Sequence, residues 1–244
     1  MKRSLSIVFW PVFFSCQLIA LALVSWHLLA QFHFAYPLGY QLLGLDKHIA
    51  EYAPLNRNKA DFEYTTPADH WRLFGEITDA VQDSGRGLQN ISYPLPNGQT
   101  TGLMHEAEII HLQDVANLID RFYQAGLIGA AIWLILIAIA VLKKWPPPSY
   151  KKVLTGFIAG IALITAAVLA IGPTDVFYWL HVQIFPAGHQ WFFYYQDSLM
   201  TTLMKAPDIF AFIAVFLLVI LITLWVIAFL LFKQTINHRL KNKI

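Results

Sequence analysis

Four apolar stretches constrain this chain more than anything else in it. They lie near Leu5–Ala30, Leu118–Leu142, Val153–Ile171 and Ile209–Phe232. About 20 mostly apolar residues carry a helix across the hydrocarbon of a bilayer. Backbone groups in hydrocarbon must be satisfied within the segment, so runs of this kind are helices. Composition agrees: 57% of the 244 residues are hydrophobic and 13% are charged, where a soluble domain has about a quarter charged. The first run sits where a signal peptide would. It is too long for the apolar core of one, and Trp26–Gln31 offers no small-residue cleavage site, so a retained helix is expected.

Charge orients the runs. Met1–Ser4, Lys143–Lys152 and Lys233–Ile244 hold ten Lys or Arg and no acid, while all fifteen Asp and Glu fall between Asp46 and Asp208. The positive-inside rule then puts both termini and the 143–152 loop in the cytoplasm. The net charge of +2 hides this polarity and carries no message about nucleic acid. Cys16 is the single cysteine, so an intramolecular disulfide and dithiol redox chemistry are both excluded.

The expected fold class is an all-α membrane protein, with four transmembrane helices and a small α+β extracytoplasmic domain between helices 1 and 2. In numbers, 1–32 is the cytoplasmic N-terminus and first helix, and 33–103 the extracytoplasmic domain. Residues 104–142 form a juxtamembrane helix running into the second span, and 143–152 a cytoplasmic loop. The third span is 153–171, the second outer loop 172–208, the fourth span 209–232 and the cytoplasmic tail 233–244.

Within 33–103, Thr66-Pro67 reads as a helix start, a hydroxyl cap followed by Pro in the first turn. The helix should run from Pro67 to Gln82 with Trp71, Phe74, Ile77, Thr78 and Val81 on one face. Ile91–Leu95 and the Asn97-Gly98 pair suggest a hairpin, confined by its prolines to an edge. The aromatic, histidine-bearing stretch Trp26–Phe34 suits a headgroup boundary.

The chemistry concentrates in His105–Val115, which runs straight into the second apolar segment. A helix from about Met104, set out at 100° per residue, gathers Ile109, Leu112, Val115, Leu118 and Ile119 on one side. Glu108 and His111 fall inside that apolar arc, Asp114 lies at its edge and Glu106 points away. An acid on a buried face is costly unless paired, so Glu108 stands against ordinary patterning. His181 follows the third run, with Phe177, Tyr178, Ile184 and Phe185 at helical spacing around it. Both histidines are thus expected near the outer membrane level, and imidazole is the group best placed for proton transfer near neutral pH. Three function classes follow. The first is acid/base catalysis at the membrane surface. The second is a metal-dependent membrane hydrolase on His105, Glu108 and His111, although there is no HExxH pattern. The third is a non-catalytic envelope assembly factor whose histidines only pack. Covalent catalysis has little support, since no G-x-S-x-G surrounds any serine.

Glu108-Ile-Ile-His111-Leu-Gln-Asp114-Val115 resembles the E-x-x-H-[ML]-x-D-V motif of the bacterial lipoprotein intramolecular transacylases. His181 followed by Phe185, Trp191, Asp197 and Pro207 is similar to that family's second signature. Ala107 and Ala116 depart from it, standing where the family often has basic residues, so Arg72, Arg86 or Arg121 would have to supply any such cation. The resemblance implies an acyltransferase of the cytoplasmic (inner) membrane, with no cofactor and no bound metal. Its partners would be a diacylated lipoprotein and membrane lipid. It would move the sn-2 acyl chain of the diacylglyceryl-cysteine to the cysteine α-amino group, leaving a lyso-form lipoprotein. His111 and His181 would be catalytic, with Glu108, Asp114, Tyr178, Trp191 and Asp197 in support.

Overall fold

The computed structural model describes residues 3–241; Lys2 and Lys243, two of the orienting basic residues, lie outside them. Four of its helices are long and apolar enough to cross a membrane: α1 (Arg3–Ala30), α5 (Glu106–Leu142), α6 (Tyr150–Ile171) and α9 (Asp208–Lys241). The second starts at Glu106, two residues after the expected Met104. At 37 residues and about 1.5 Å per residue, α5 is roughly 55 Å long, against a hydrocarbon layer of about 30 Å. Its charged end, Glu106–Arg121, is the part that must project beyond the apolar layer.

The chain forms two compact units. The first takes residues 1–20, 128–188 and 223–244. Its core is aromatic: Phe9, Trp10 and Phe13 pack with Ala140, Phe232 and Ile236. Phe157 stacks on Trp225 with ring centres 4.5 Å apart. Gln17, fully buried, donates to the Trp225 carbonyl at 3.4 Å. Leu163, Ile164, Leu169 and Ile171 of α6 are exposed, as apolar side chains facing lipid should be. A further helix, α7 (Pro173–Ile184), starts at a proline directly after Gly172.

The second unit takes residues 21–127 and 189–222. It holds α2 (Tyr36–Leu42), α3 (Leu45–Tyr52), α4 (Pro67–Gln82) and α8 (Leu199–Met204), with a two-stranded antiparallel sheet of β1 (Ser92–Pro94) and β2 (Thr100–Gly102). The fourth helix has the expected bounds, and its start is a capping box: Thr66 accepts from the Asp69 amide, and the Asp69 carboxylate accepts from the Thr66 amide. The Thr66 hydroxyl also donates to that carboxylate at 2.7 Å, and this bond first, then that of the Thr66 amide, lowers the Asp69 pKa. Phe74, Ile77, Thr78 and Val81 are buried as the periodicity requires, whereas Trp71 sits at the rim, 38% exposed. The hairpin loop is longer than a two-residue turn. Pro96 and Asn97 lie in its middle and Gly98 takes φ +83°, closed by Gly98 N–H to the Leu95 carbonyl at 3.0 Å.

Tyr36 is the pivot of this core. It stacks on Phe74 with ring centres 4.0 Å apart and donates to the Leu203 carbonyl at 2.7 Å. The two boundary histidines are tied into the fold. His27 meets the Tyr123 hydroxyl at 3.0 Å, and His33 meets Asp79 at 3.2 Å. A Cβ on Gly75 would stand 3.1 Å from the His33 ring, so the missing side chain lets that ring lie on α4. His33, Phe34 and Ala35 all hold positive φ. Such a left-handed turn of non-glycine residues costs about 1–2 kcal/mol per residue, opposed here by the burial of Phe34 against Trp26.

Candidate active site

The N-terminal turns of α5 and the segment from His189 to Thr201 build one face of the second unit. The segment runs back along the helix. His189 meets Asp114, Phe193 lies beside His111 and His105, and Ser198 meets Glu108. His105, just before α5, and Glu108, His111 and Asp114 on it each contact this segment.

Glu108 is the fixed point. It is 1% exposed, and a carboxylate buried so deeply needs hydrogen bonds to offset its lost hydration. Oε1 accepts a short bond from the Ser198 hydroxyl and one from the Met200 amide at 3.4 Å. Oε2 accepts from the His105 amide at 2.8 Å, with His105 Nε2 at 3.5 Å. Ser198 also accepts the Thr201 amide at 2.9 Å, which caps α8. One hydroxyl carries one proton. With that proton given to the carboxylate, the Thr201 hydroxyl donates to Ser198 Oγ across their 2.9 Å contact. Glu108 thus braces α5 against the start of α8.

That corner is held from outside as well. Arg57 donates to the Asp197 carboxylate at 3.0 Å and, through its amide, to the Gln196 carbonyl at 2.8 Å. Asn58 donates to the Asp197 carbonyl at 2.8 Å. Asp197 therefore anchors the loop that carries Ser198.

Three imidazoles have defined settings. His111 lies half-buried one turn after Glu108, its ring centre 6.0 Å from that of Phe193. His189 Nδ1 is 2.7 Å from Asp114 Oδ2. A carboxylate accepts, so Nδ1 bears the hydrogen and the lone pair of the neutral ring is on Nε2. In the first unit, His181 Nδ1 donates to the Phe177 carbonyl at 2.8 Å, and its ring lies 3.9 Å from the Phe177 ring and 5.3 Å from that of Phe185. Its neutral ring also keeps the lone pair on Nε2.

The family model of the lipoprotein intramolecular transacylase Lit matches residues 5–206. The chain belongs to the Lit family. A solved structure of the membrane integral lipoprotein intramolecular transacylase Lit from Bacillus cereus, a point-mutant form, superposes with a TM-score of 0.67 at 16% identity. The match covers 98% of this chain and 95% of that one, and shows a shared fold. No curated protein matches by sequence. The Lit membership and the four apolar helices make the chain a multi-pass membrane protein and an acyl-transferring enzyme.

Of the residues expected from sequence, the structure places Glu108, His111, Asp114, Trp191 and Asp197 in the second unit, and Tyr178 and His181 in the first. Trp191 is half-buried with its ring 6.2 Å from Phe192; Tyr178 is 5.8 Å from Phe177. Glu108, expected in support of the histidines, spends both oxygens on Ser198, Met200 and His105. Asp114 turns to His189. Arg72 bonds Glu76 at 2.7 Å and the Ser92 carbonyl, and Arg86 bonds Asp83. Two cations considered as replacements at Ala107 and Ala116 are therefore paired on α4 and its C-terminal turn. Among the described residues, no three His, Cys, Asp or Glu side chains gather as a metal-binding set.

Sequence reasoning left Ser198 as a possible helper without specific support and missed His189. Ser198 was legible only as a hydroxyl before a short apolar run, a cap signal. His189 sits in a Pro-Ala-Gly turn and has no periodicity to assign it a face.

Proposed function

We propose that this Lit-family chain moves the sn-2 acyl chain of a diacylglyceryl-cysteine onto the α-amino group of the same cysteine, leaving a lyso-form lipoprotein. His111 and His181 carry the protons. The reaction takes place at the outer face of the cytoplasmic membrane, with both termini inside, as the basic loops favour. The observation that carries this reading is the imidazole- and acid-bearing face of α5, where His111 stands one turn from a fully buried Glu108 that accepts three hydrogen bonds.

The reaction suits such a site. Amine and ester belong to one molecule, so holding them in register supplies much of the acceleration. One imidazole takes a proton from the amine as it attacks, and the other gives one to the departing glycerol oxygen. His181 enters with its lone pair on Nε2, fixed by the Phe177 carbonyl. No acyl-enzyme is required. Cys16 lies in the middle of α1, and the Ser198 hydroxyl is committed to Glu108.

The test is mass spectrometry of a reporter lipoprotein's N-terminus in cells carrying His111→Asn or His181→Asn, with membrane insertion checked in parallel. Each is expected to lower lyso-form production by about 10²–10⁴-fold. A parent-like yield of the N-acylated product from either variant would refute the two-histidine mechanism.

A further inference from the structure

Proton accounting exposes a need that two imidazoles do not meet. An α-amino group has a pKa of about 7.7–8.0, so near neutrality the cysteine nitrogen of the substrate is mostly ammonium. It begins with three hydrogens and ends, as a secondary amide, with one. The new bond is C–N and the bond broken is the ester C–O. One of the two departing protons ends on the glycerol oxygen. The other is surplus and must reach water in every turnover.

We propose that His189, held by Asp114, is the group that accepts this surplus proton and passes it to solvent. This rests on the transfer reading above and adds a residue to it. The pair is graded in exposure: the Asp114 side chain is 13% exposed and the His189 side chain 43%. The carboxylate is therefore the more buried partner and the imidazole the more exposed one. The Nδ1 to Oδ2 contact of 2.7 Å orients the ring with its Nε2 lone pair away from the carboxylate. Asp114 follows His111 by one helical turn, so the pair stands beside the imidazole that the transfer reading makes a proton carrier. The titratable groups on the α5 side are Asp114 and His111, with Glu108 and His105 further up. On the segment's own side they are Tyr194, Tyr195 and Asp197, the last bonded to Arg57. When His189 takes a proton, its positive charge stands against Asp114, which stabilises the intermediate state until water removes the proton.

A strut that only ties the segment to α5 would use the same contact, so the readout must report proton transfer. The full-length protein in proteoliposomes is given a synthetic diacylated lipopeptide, and N-acylation is followed by mass spectrometry for the parent, His189→Asn and His189→Ala. At about pH 6.5, where the amine is protonated, both variants should lose about tenfold to hundredfold in rate. At about pH 9 the amine is already neutral in solution and the loss should fall below about threefold. Added imidazole should restore the alanine variant at the lower pH. A loss equal at both pH values and insensitive to imidazole would overturn the proposal, as would no loss at either. His111→Asn, run alongside, separates the two failures. If it is inactive while the His189 variants lose nothing, or lose equally at both pH values, only this inference fails. If it too is fully active, the transfer reading fails with it.

Discussion

Ser198→Ala should be among the more destabilising single-atom deletions in this protein. The hydroxyl is fully buried and does two things at once. It donates to the Glu108 carboxylate, and it accepts the Thr201 amide that starts α8. A hydrogen bond to a charged group contributes about 1.5–3 kcal/mol, and loss of a serine cap costs about 0.5–2 kcal/mol. The two share one atom and are not simply additive, so about 3 kcal/mol is expected. For a chain of this size, where 1 kcal/mol moves the midpoint by about 2–4 °C, that is a drop of about 6–12 °C. Thermal unfolding of the purified protein in detergent, followed by circular dichroism, reads it. A second measurement isolates the carboxylate. In a Glu108→Gln background the acceptor is neutral and its bond is worth about 1 kcal/mol. Ser198→Ala should then cost about 0.5–2 kcal/mol less than in the parent. An alanine variant within about 0.5 kcal/mol of the parent, the range of ordinary surface changes, would refute the brace. An equal loss in both backgrounds would reduce the hydroxyl to a cap.

Two further outcomes follow from the same core. His70 is buried between Tyr40 and Thr65, bonded to both at 2.9 and 2.8 Å, and burial lowers its pKa from 6.5 to about 4. A histidine lowered on folding stabilises fully above its unfolded value and loses that stability as pH falls. The parent should therefore weaken by up to about 3 kcal/mol between pH 6.5 and pH 4, and His70→Gln should flatten that part of a melting-temperature profile against pH. Gly126 lets α5 approach α1, since a Cβ there would stand 2.6 Å from that of Leu23, whereas Gly156 on α6 has nothing within 4 Å. Gly126→Ala should cost about 1–3 kcal/mol through overpacking and Gly156→Ala almost nothing, and a reversed order in detergent melts would contradict the close approach.

The fold was legible wherever a period or a cap spoke for it. The four apolar runs became α1, α5, α6 and α9 because length and hydrophobicity alone decide a span. Thr66-Pro67 located α4 to the residue because a capping box is local chemistry. The helical projection correctly buried Glu108 and left Asp114 at the edge. What the projection could not supply was the partner. Glu108 and Ser198 are 90 residues apart, and nothing in either stretch names the other. The same holds for Asp114 and His189. Trp71 went to the rim because the Tyr36–Phe74 stack fills the centre of the face to which it was assigned.

The way Glu108 is spent says what kind of catalyst this is. A buried carboxylate with both oxygens bonded to protein is a poor proton donor or acceptor for a substrate, because each transfer would break a bond that nothing in the interior replaces. It is well suited to keeping the first turns of α5 rigid against α8. The same bonds take Ser198 out of contention as a nucleophile. This face of the second unit also carries the imidazoles of His111 and His189, with Asp114 holding the latter. A site with a rigid carboxylate brace and an engaged serine is poorly equipped to hold an acyl group covalently. It is suited to a reaction whose nucleophile arrives inside the substrate.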